Sequence, residues 1–126
     1  MVKDCLLIED DLDDQEIFLM ALQKINAEIF CAIANDGIEG MNKLSDPAYR
    51  PELICIDINM PKITGIECLE KIKKLSHLKN SRIVMYSTSQ DKTIMVRCKE
   101  LGADHFIVKP PGFTPLVESL TTILKG

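Results

Sequence analysis

The sequence predicts an α/β fold: a doubly wound, five-stranded parallel sheet with helices on both faces. Three observations carry the prediction. Short apolar runs alternate regularly with helical patterns, five times over. Three of those runs are almost continuously apolar, as strands covered on both faces must be. Three of the intervening segments open on an Asp or Thr followed three residues later by Glu, the signature of a helix start. Strand–helix alternation of this kind closes through right-handed crossovers. At 126 residues the chain is one domain, 1–126, long enough for a single core.

The first strand is "CLLI" (5–8), which ends abruptly in Glu9, Asp10 and Asp11. A helix follows, with Asp13 placed to cap it and Glu16 three residues on. Ile17, Phe18, Ala21, Leu22 and Ile25 then form an apolar stripe at helical spacing. "EIFCAIA" (28–34) is the second strand, and Asp36 with Glu39 starts the second helix. "LICIDI" (53–58) is the third strand. Thr64 with Glu67 opens the third helix, whose core face is Ile66, Leu69 and Ile72 with Ile63. "KKLSHLKNSR" (73–82) reads as a mildly basic, solvated connection. The fourth strand is "RIVMYS" (82–87), and its helix runs from about Asp91 to a stop at Gly102. The fifth strand is "HFIVK" (105–109). The last helix starts near Phe113 to Pro115, proline being tolerated in a first turn, and runs almost to Gly126.

Composition narrows the function. The hydrophobic fraction is 46%, the charged fraction 27% and the net charge −4, which suits a globular protein and argues against nucleic-acid binding through a basic face. Five cysteines at wide spacings, with no C-x-x-C, argue against a disulfide framework or zinc site. Cys5, Cys31 and Cys55 fall in strands, where a free thiol acts as a small hydrophobe suited to a reducing cytoplasm. No apolar run approaches the ~20 residues of a membrane span, and the N-terminus turns acidic too soon for a signal peptide.

In doubly wound sheets, ligands bind outside the carboxyl ends of the strands. Those ends carry Glu9, Asp10 and Asp11; Asp57; Ser87 and Thr88; and Lys109. Like charges crowded at a strand end resist desolvation unless a positive partner balances them. Several carboxylates on one rim suit a hard divalent cation with oxygen ligands, most naturally Mg²⁺. A carboxylate beside such a metal can act as nucleophile toward a phosphoryl group, with a lysine and a hydroxyl to meet the phosphoryl oxygens. Asp11 reads as a turn or cap residue outside the metal set, and Asp14, with Asp13, as a helix-start signal. His77 and His105 lack ligand spacing and read as structural or surface residues.

The motifs "IEDD", "DINMPKITG", "YSTS" and "FIVKPPG" lie in the order and at the spacing of a response-regulator receiver domain, which the chain resembles over essentially its whole length. The resemblance implies the flavodoxin-like (βα)5 fold with strand order 2-1-3-4-5. It implies that Asp57 is the phosphoacceptor, that Asp10 binds Mg²⁺ directly and Glu9 through water, and that Asn59 offers its backbone carbonyl. Ser87 is then the hydroxyl that swings to the phosphoryl group, Lys109 its ion-pair partner, and Phe106 the switching aromatic. The Lys109–Pro110 bond is expected to be cis. Thr88, where the family commonly has a smaller residue, and the Pro111–Gly112 pair depart from the family pattern.

The implied protein is a stand-alone, cytoplasmic signalling module rather than an enzyme, with at most weak self-phosphorylation and autodephosphorylation. Its partners would be a histidine kinase or phosphotransfer protein, and a downstream protein bound at the fourth helix, fifth strand and fifth helix. It would be a monomer or weak dimer. Two other readings stay open at this point: a metal-dependent phosphatase of the haloacid dehalogenase type, weakened by Asn59 at the second acid position, and a receiver-like module that works unphosphorylated. A flavodoxin-like cofactor carrier is disfavoured because no phosphate-cradling loop follows the first strand.

Overall fold

The computed structural model describes residues 2–125. Strands and helices alternate as β1 (Asp4–Ile8), α1 (Leu12–Ile25), β2 (Phe30–Ala34), α2 (Gly37–Leu44), β3 (Leu53–Asp57), α3 (Gly65–Ile72), β4 (Arg82–Ser87), α4 (Lys92–Glu100), β5 (His105–Val108) and α5 (Phe113–Lys125). The strands form one parallel sheet in the order β2-β1-β3-β4-β5. This is the doubly wound arrangement that the sequence predicts.

The two-residue period of a strand divides the core between the faces. Cys5, Leu7, Leu53, Cys55, Val84 and Tyr86 point to one side, where Phe18, Ala21 and Leu22 of α1 and Leu116, Leu120 and Ile123 of α5 cover them. Leu6, Ile8, Ile54, Ile56, Ile83 and Met85 point to the other, under Leu44 of α2, Cys68, Leu69 and Ile72 of α3, and Cys98 of α4. Each face has its own dry cluster, with the sheet as the wall between them. The five thiols are all free, and only Cys31 is partly exposed.

The helix starts follow from the capping chemistry with one correction. The cap of α1 is Asp11, whose carboxylate accepts from the Asp14 backbone N–H at 3.0 Å, and not Asp13. The sequence alone allows a cap at either position, but with α1 starting at Leu12 it is Asp11 that stands three residues ahead of a first-turn N–H. Asp36 caps α2, and at α3 Thr64 and Glu67 form the full reciprocal capping box. Helix α4 stops just ahead of Gly102, whose φ of +100° is the left-handed conformation that glycine adopts without strain.

Beyond single-residue shifts at the ends of β1, β3 and β5, three features differ from expectation. β2 begins at Phe30 because Asn26 organises a turn before it, its side chain accepting from the Glu28 N–H and its carbonyl from Ile29. The connection before β4 contains a short 3-10 turn, Ser76–Leu78, and is not merely solvated: Leu78 is buried and His77 Nε2 lies 2.8 Å from the Leu44 carbonyl. The Lys109–Pro110 bond is trans, since no peptide among the described residues is cis. The trans form of an X–Pro amide is intrinsically favoured by about 0.5–1 kcal/mol. Lys109 already makes its contacts from it, donating its N–H to the Ser87 carbonyl and its ammonium to the acids of the rim. No helix among the described residues is long and apolar enough to cross a membrane.

Candidate functional site

The strand order gathers the polar strand ends. β1 lies beside β3 with Ile8 opposite Ile56, so Glu9 and Asp57 emerge as neighbours. Asp57 is opposite Tyr86 on β4, which puts Ser87 one step beyond it, and Ser87 is opposite Val108, the residue before Lys109. Glu9 is fully buried and Asp57 only 4% exposed, whereas Asp10 is open to solvent. One carboxylate oxygen from each of Glu9, Asp10 and Asp57 lies within 4.8 Å of the others.

Lys109 is the charge at the centre. Its Nζ stands 2.8 Å from Glu9 Oε1, 2.7 Å from Asp14 Oδ2 and 3.6 Å from Asp57 Oδ1, and 5.0 Å from the centre of the Tyr86 ring. The ring face adds cation–π attraction to the three carboxylates. Burial works to lower the lysine's pKa, but its hydrogen bonds to Asp14 and Glu9 overcome it and hold the ammonium charged. One cation faces four acids, so the rim retains excess negative charge.

The acids respond as crowded carboxylates must. Burial, followed by a hydrogen bond to Asp57, pushes Glu9 up to about 8, against the pull of Lys109. Burial also raises Asp57, but its hydrogen bond to Glu9, the charge of Lys109 and the Asn59 N–H (3.3 Å) all work to lower it. Both carboxyls are thus held above their ordinary values, because the pair shares a buried place that disfavours a second negative charge. A divalent cation would relieve that crowding and offset most of the rim's negative charge. The donor set (three carboxylates in reach of one point, with no soft ligand among them) fits a hard, oxygen-seeking ion such as Mg²⁺.

The other predicted residues fall around this centre. Ser87 is fully buried, and its hydroxyl oxygen accepts from the Ser89 N–H at 3.0 Å. Asn59 is exposed on the loop after β3. Phe106 lies apart from the acids: half-buried and opposite Met85, it lines a cavity of about 440 Å³ with Met95, Cys98 and Ala103, between α4 and β5. Thr88 is exposed.

Three members of the site are not singled out by sequence reasoning. Asp14 pairs with Lys109 although it reads as a helix-start residue. Its signal is its place on the face of α1: it precedes Phe18 by four residues and Ala21 by seven, so an acid heads the buried stripe. Gln15 is buried and donates Nε2 to both the Glu9 carbonyl (2.7 Å) and Asn35 Oδ1 (2.9 Å), fixing the turn that presents the acids. Tyr86, read as a strand residue, supplies the ring beside Lys109 and packs edge-on against Phe18.

Residues 5–121 match the family model of the response regulator receiver domain. The chain belongs to that family. Among its relatives, the chemotaxis protein CheY of Treponema pallidum is 34% identical over 92 residues, which are 73% of this chain and 62% of that protein. The phosphorylated cyanobacterial phytochrome response regulator RcpA superposes with a TM-score of 0.89 at 28% identity, over 99% of this chain and 93% of that one. The Mn²⁺-bound form of response regulator Rcp1 does so with a TM-score of 0.79 at 26% identity, over 95% and 91%. The receiver spans a quarter to three-fifths of the length of the curated relatives it first matches. As a receiver it is a two-component signalling module, and nothing in these likenesses supports the phosphatase reading.

Proposed function

We propose that this receiver takes a phosphoryl group on Asp57 from the phosphohistidine of a histidine kinase or phosphotransfer protein, with Mg²⁺ held by Glu9, Asp10, Asp57 and the backbone carbonyl of Asn59. The observation that carries the proposal is the environment of Asp57: a nearly buried carboxylate at a strand end, 3.6 Å from a lysine ammonium and beside two further acids. RcpA, which shares this fold along its length, is described as phosphorylated, and Rcp1 as Mn²⁺-bound.

In the step itself an Asp57 carboxylate oxygen bonds to phosphorus while the donor's N–P bond breaks. The leaving imidazole keeps the bonding pair and takes up a proton. The metal, when bound, offsets the charge on the transferring oxygens. Lys109 can meet one phosphoryl oxygen and the Ser87 hydroxyl another, as charge-assisted hydrogen bonds. Water later cleaves the acyl phosphate, so the self-catalysed chemistry is only weak loading and reset.

Output follows from the added charge, about −1.5 to −2, at Asp57. Drawing the Ser87 hydroxyl inward empties space that Phe106 can enter, and this changes the face of α4, β5 and α5 that binds a downstream protein. The setting is the cytoplasm and the molecule a monomer or weak dimer. Mass spectrometry after incubation with acetyl phosphate and Mg²⁺ tests the proposal. One phosphoryl group on wild type, none with chelator and none on Asp57→Asn is the expected result. Undiminished labelling of Asp57→Asn overturns it, and an unlabelled wild type would favour a module that works unphosphorylated.

A further inference from the structure

The position of Lys109 poses a question that the phosphoacceptor reading leaves open. The lysine is closer to Asp14 (2.7 Å) than to Asp57 (3.6 Å), and the first contact is a hydrogen bond while the second is not. Lys109 itself is only 12% exposed, against 35% for the Asp14 side chain, so this is no loose surface pair. Asp14 is also held in place: it occupies the first turn of α1, where its own N–H is fixed by the Asp11 cap and a negative side chain is favoured by the helix dipole.

Resting on that reading, we infer that Asp14 is a positioning residue for Lys109: it draws the ammonium aside from Asp57 and keeps that carboxylate available to the metal and the phosphodonor. An ammonium has three donors. Two are committed, to Glu9 and Asp14, which leaves one to share toward Asp57. Without Asp14, Asp57 is the acid within ion-pair reach that Lys109 has not yet hydrogen-bonded, and the 3.6 Å gap closes to a hydrogen bond. Asp57 is then masked by its own partner, and a cation must compete with Lys109 for it. After transfer the order of attraction reverses. A phosphoryl dianion presents more charge than the Asp14 carboxylate, and Lys109 crosses over, leaving Asp14 to water through its exposed side.

Four proteins decide the matter: wild type, Asp14→Asn, Lys109→Met and the double variant. Asp14→Asn keeps the size and backbone of the helix start, so folding is not at issue. Its Mg²⁺ affinity, measured by calorimetry without phosphodonor, is expected to fall roughly fivefold, as exchange of one partly exposed ion pair for another allows. In the Lys109→Met background the same substitution should change the affinity less than about twofold, because the route through the lysine is gone. The initial rate of phosphoryl uptake at subsaturating Mg²⁺ should follow the same pattern. An equal loss in both backgrounds would mean that Asp14 acts only as a distant negative charge, and no loss in wild type would mean that it positions nothing; either overturns the inference. The Mg²⁺ measurements need no phosphorylation, so an unlabelled wild type would overturn the phosphoacceptor role and leave this comparison standing.

Discussion

Glu9 answers two demands that conflict. It is buried where it closes the end of β1, and in the proposed function it must also sit beside Asp57 to hold a cation. The consequence in the metal-free protein is a carboxyl group that keeps its proton up to about pH 8, whereas in the unfolded chain it loses it near its ordinary value of 4.5. The folded state therefore binds more protons across that window, and stability falls as pH rises through it. Without metal, the unfolding free energy from urea titrations should decline from pH 5 to pH 8 by an amount on the order of 1–3 kcal/mol, and Glu9→Gln should flatten the curve. A slope that survives Glu9→Gln would place the proton elsewhere. Residues of this kind were legible where chemistry concentrates charge: Glu9, Asp10, Asp57 and Lys109 each end or follow an apolar run. Asp14 was not, because a charge in a first turn has an ordinary explanation in the helix dipole, and only three-dimensional proximity shows that Lys109 claims it.

Between β3 and α3 the chain returns against itself so tightly that Gly65 has no room for a side chain. A Cβ there would press on the Asp57 carbonyl oxygen and come within 2.7 Å of the Ile58 Cα, both of them backbone atoms that cannot swing aside. Gly65→Ala should cost about 1–3 kcal/mol in urea unfolding and also slow phosphoryl uptake, since relief must move the segment bearing Asp57. A variant as stable and as reactive as wild type would show that the segment yields freely. Farther from the site, α4 and β5 enclose the cavity beside Phe106. Phosphorylation-dependent amide shifts are expected over 91–101 and 105–116 and should shrink in Ser87→Ala; shifts confined to α1 and α2 would refute that route. At this scale the sequence was most informative where patterns are periodic, as in the α1 stripe and the Thr64–Glu67 box. It was least so in "DDLDD", where two registers of the same capping chemistry compete, and around His77, whose partner is a carbonyl 33 residues earlier.

The molecule as a whole couples its rim to its stability. A ligand that binds only the folded state at 100 times its dissociation constant adds about 2.7 kcal/mol. Mg²⁺ at that concentration should raise the melting temperature by about 10 °C, at roughly 4 °C per kcal/mol for a domain of this size. Asp10→Asn, which leaves the exposed position uncharged, should lose most of the increase. The parallel sheet and the meeting of strand ends on one rim were legible because strand–helix alternation leaves few alternatives, while the strand order came from the resemblance to receiver domains. The trans bond before Pro110 was not, since the two isomers of such a bond differ by less than the contacts around it.

The sheet is not uniform from centre to border. β3 is buried at every position and β4 at all but its first, whereas β5 has a single fully buried residue, Ile107. Such a sheet has a stiff spine and a yielding margin. Amides along Leu53–Asp57 should exchange with deuterium only when the entire chain opens, while those along His105–Val108 should exchange through smaller, cheaper openings. The margin is where Phe106 sits, and its softness has a mechanical use. A rearrangement there need not disturb the spine that holds Asp57, so under the proposed function the protein can change what it displays without loosening the place that takes the phosphoryl group.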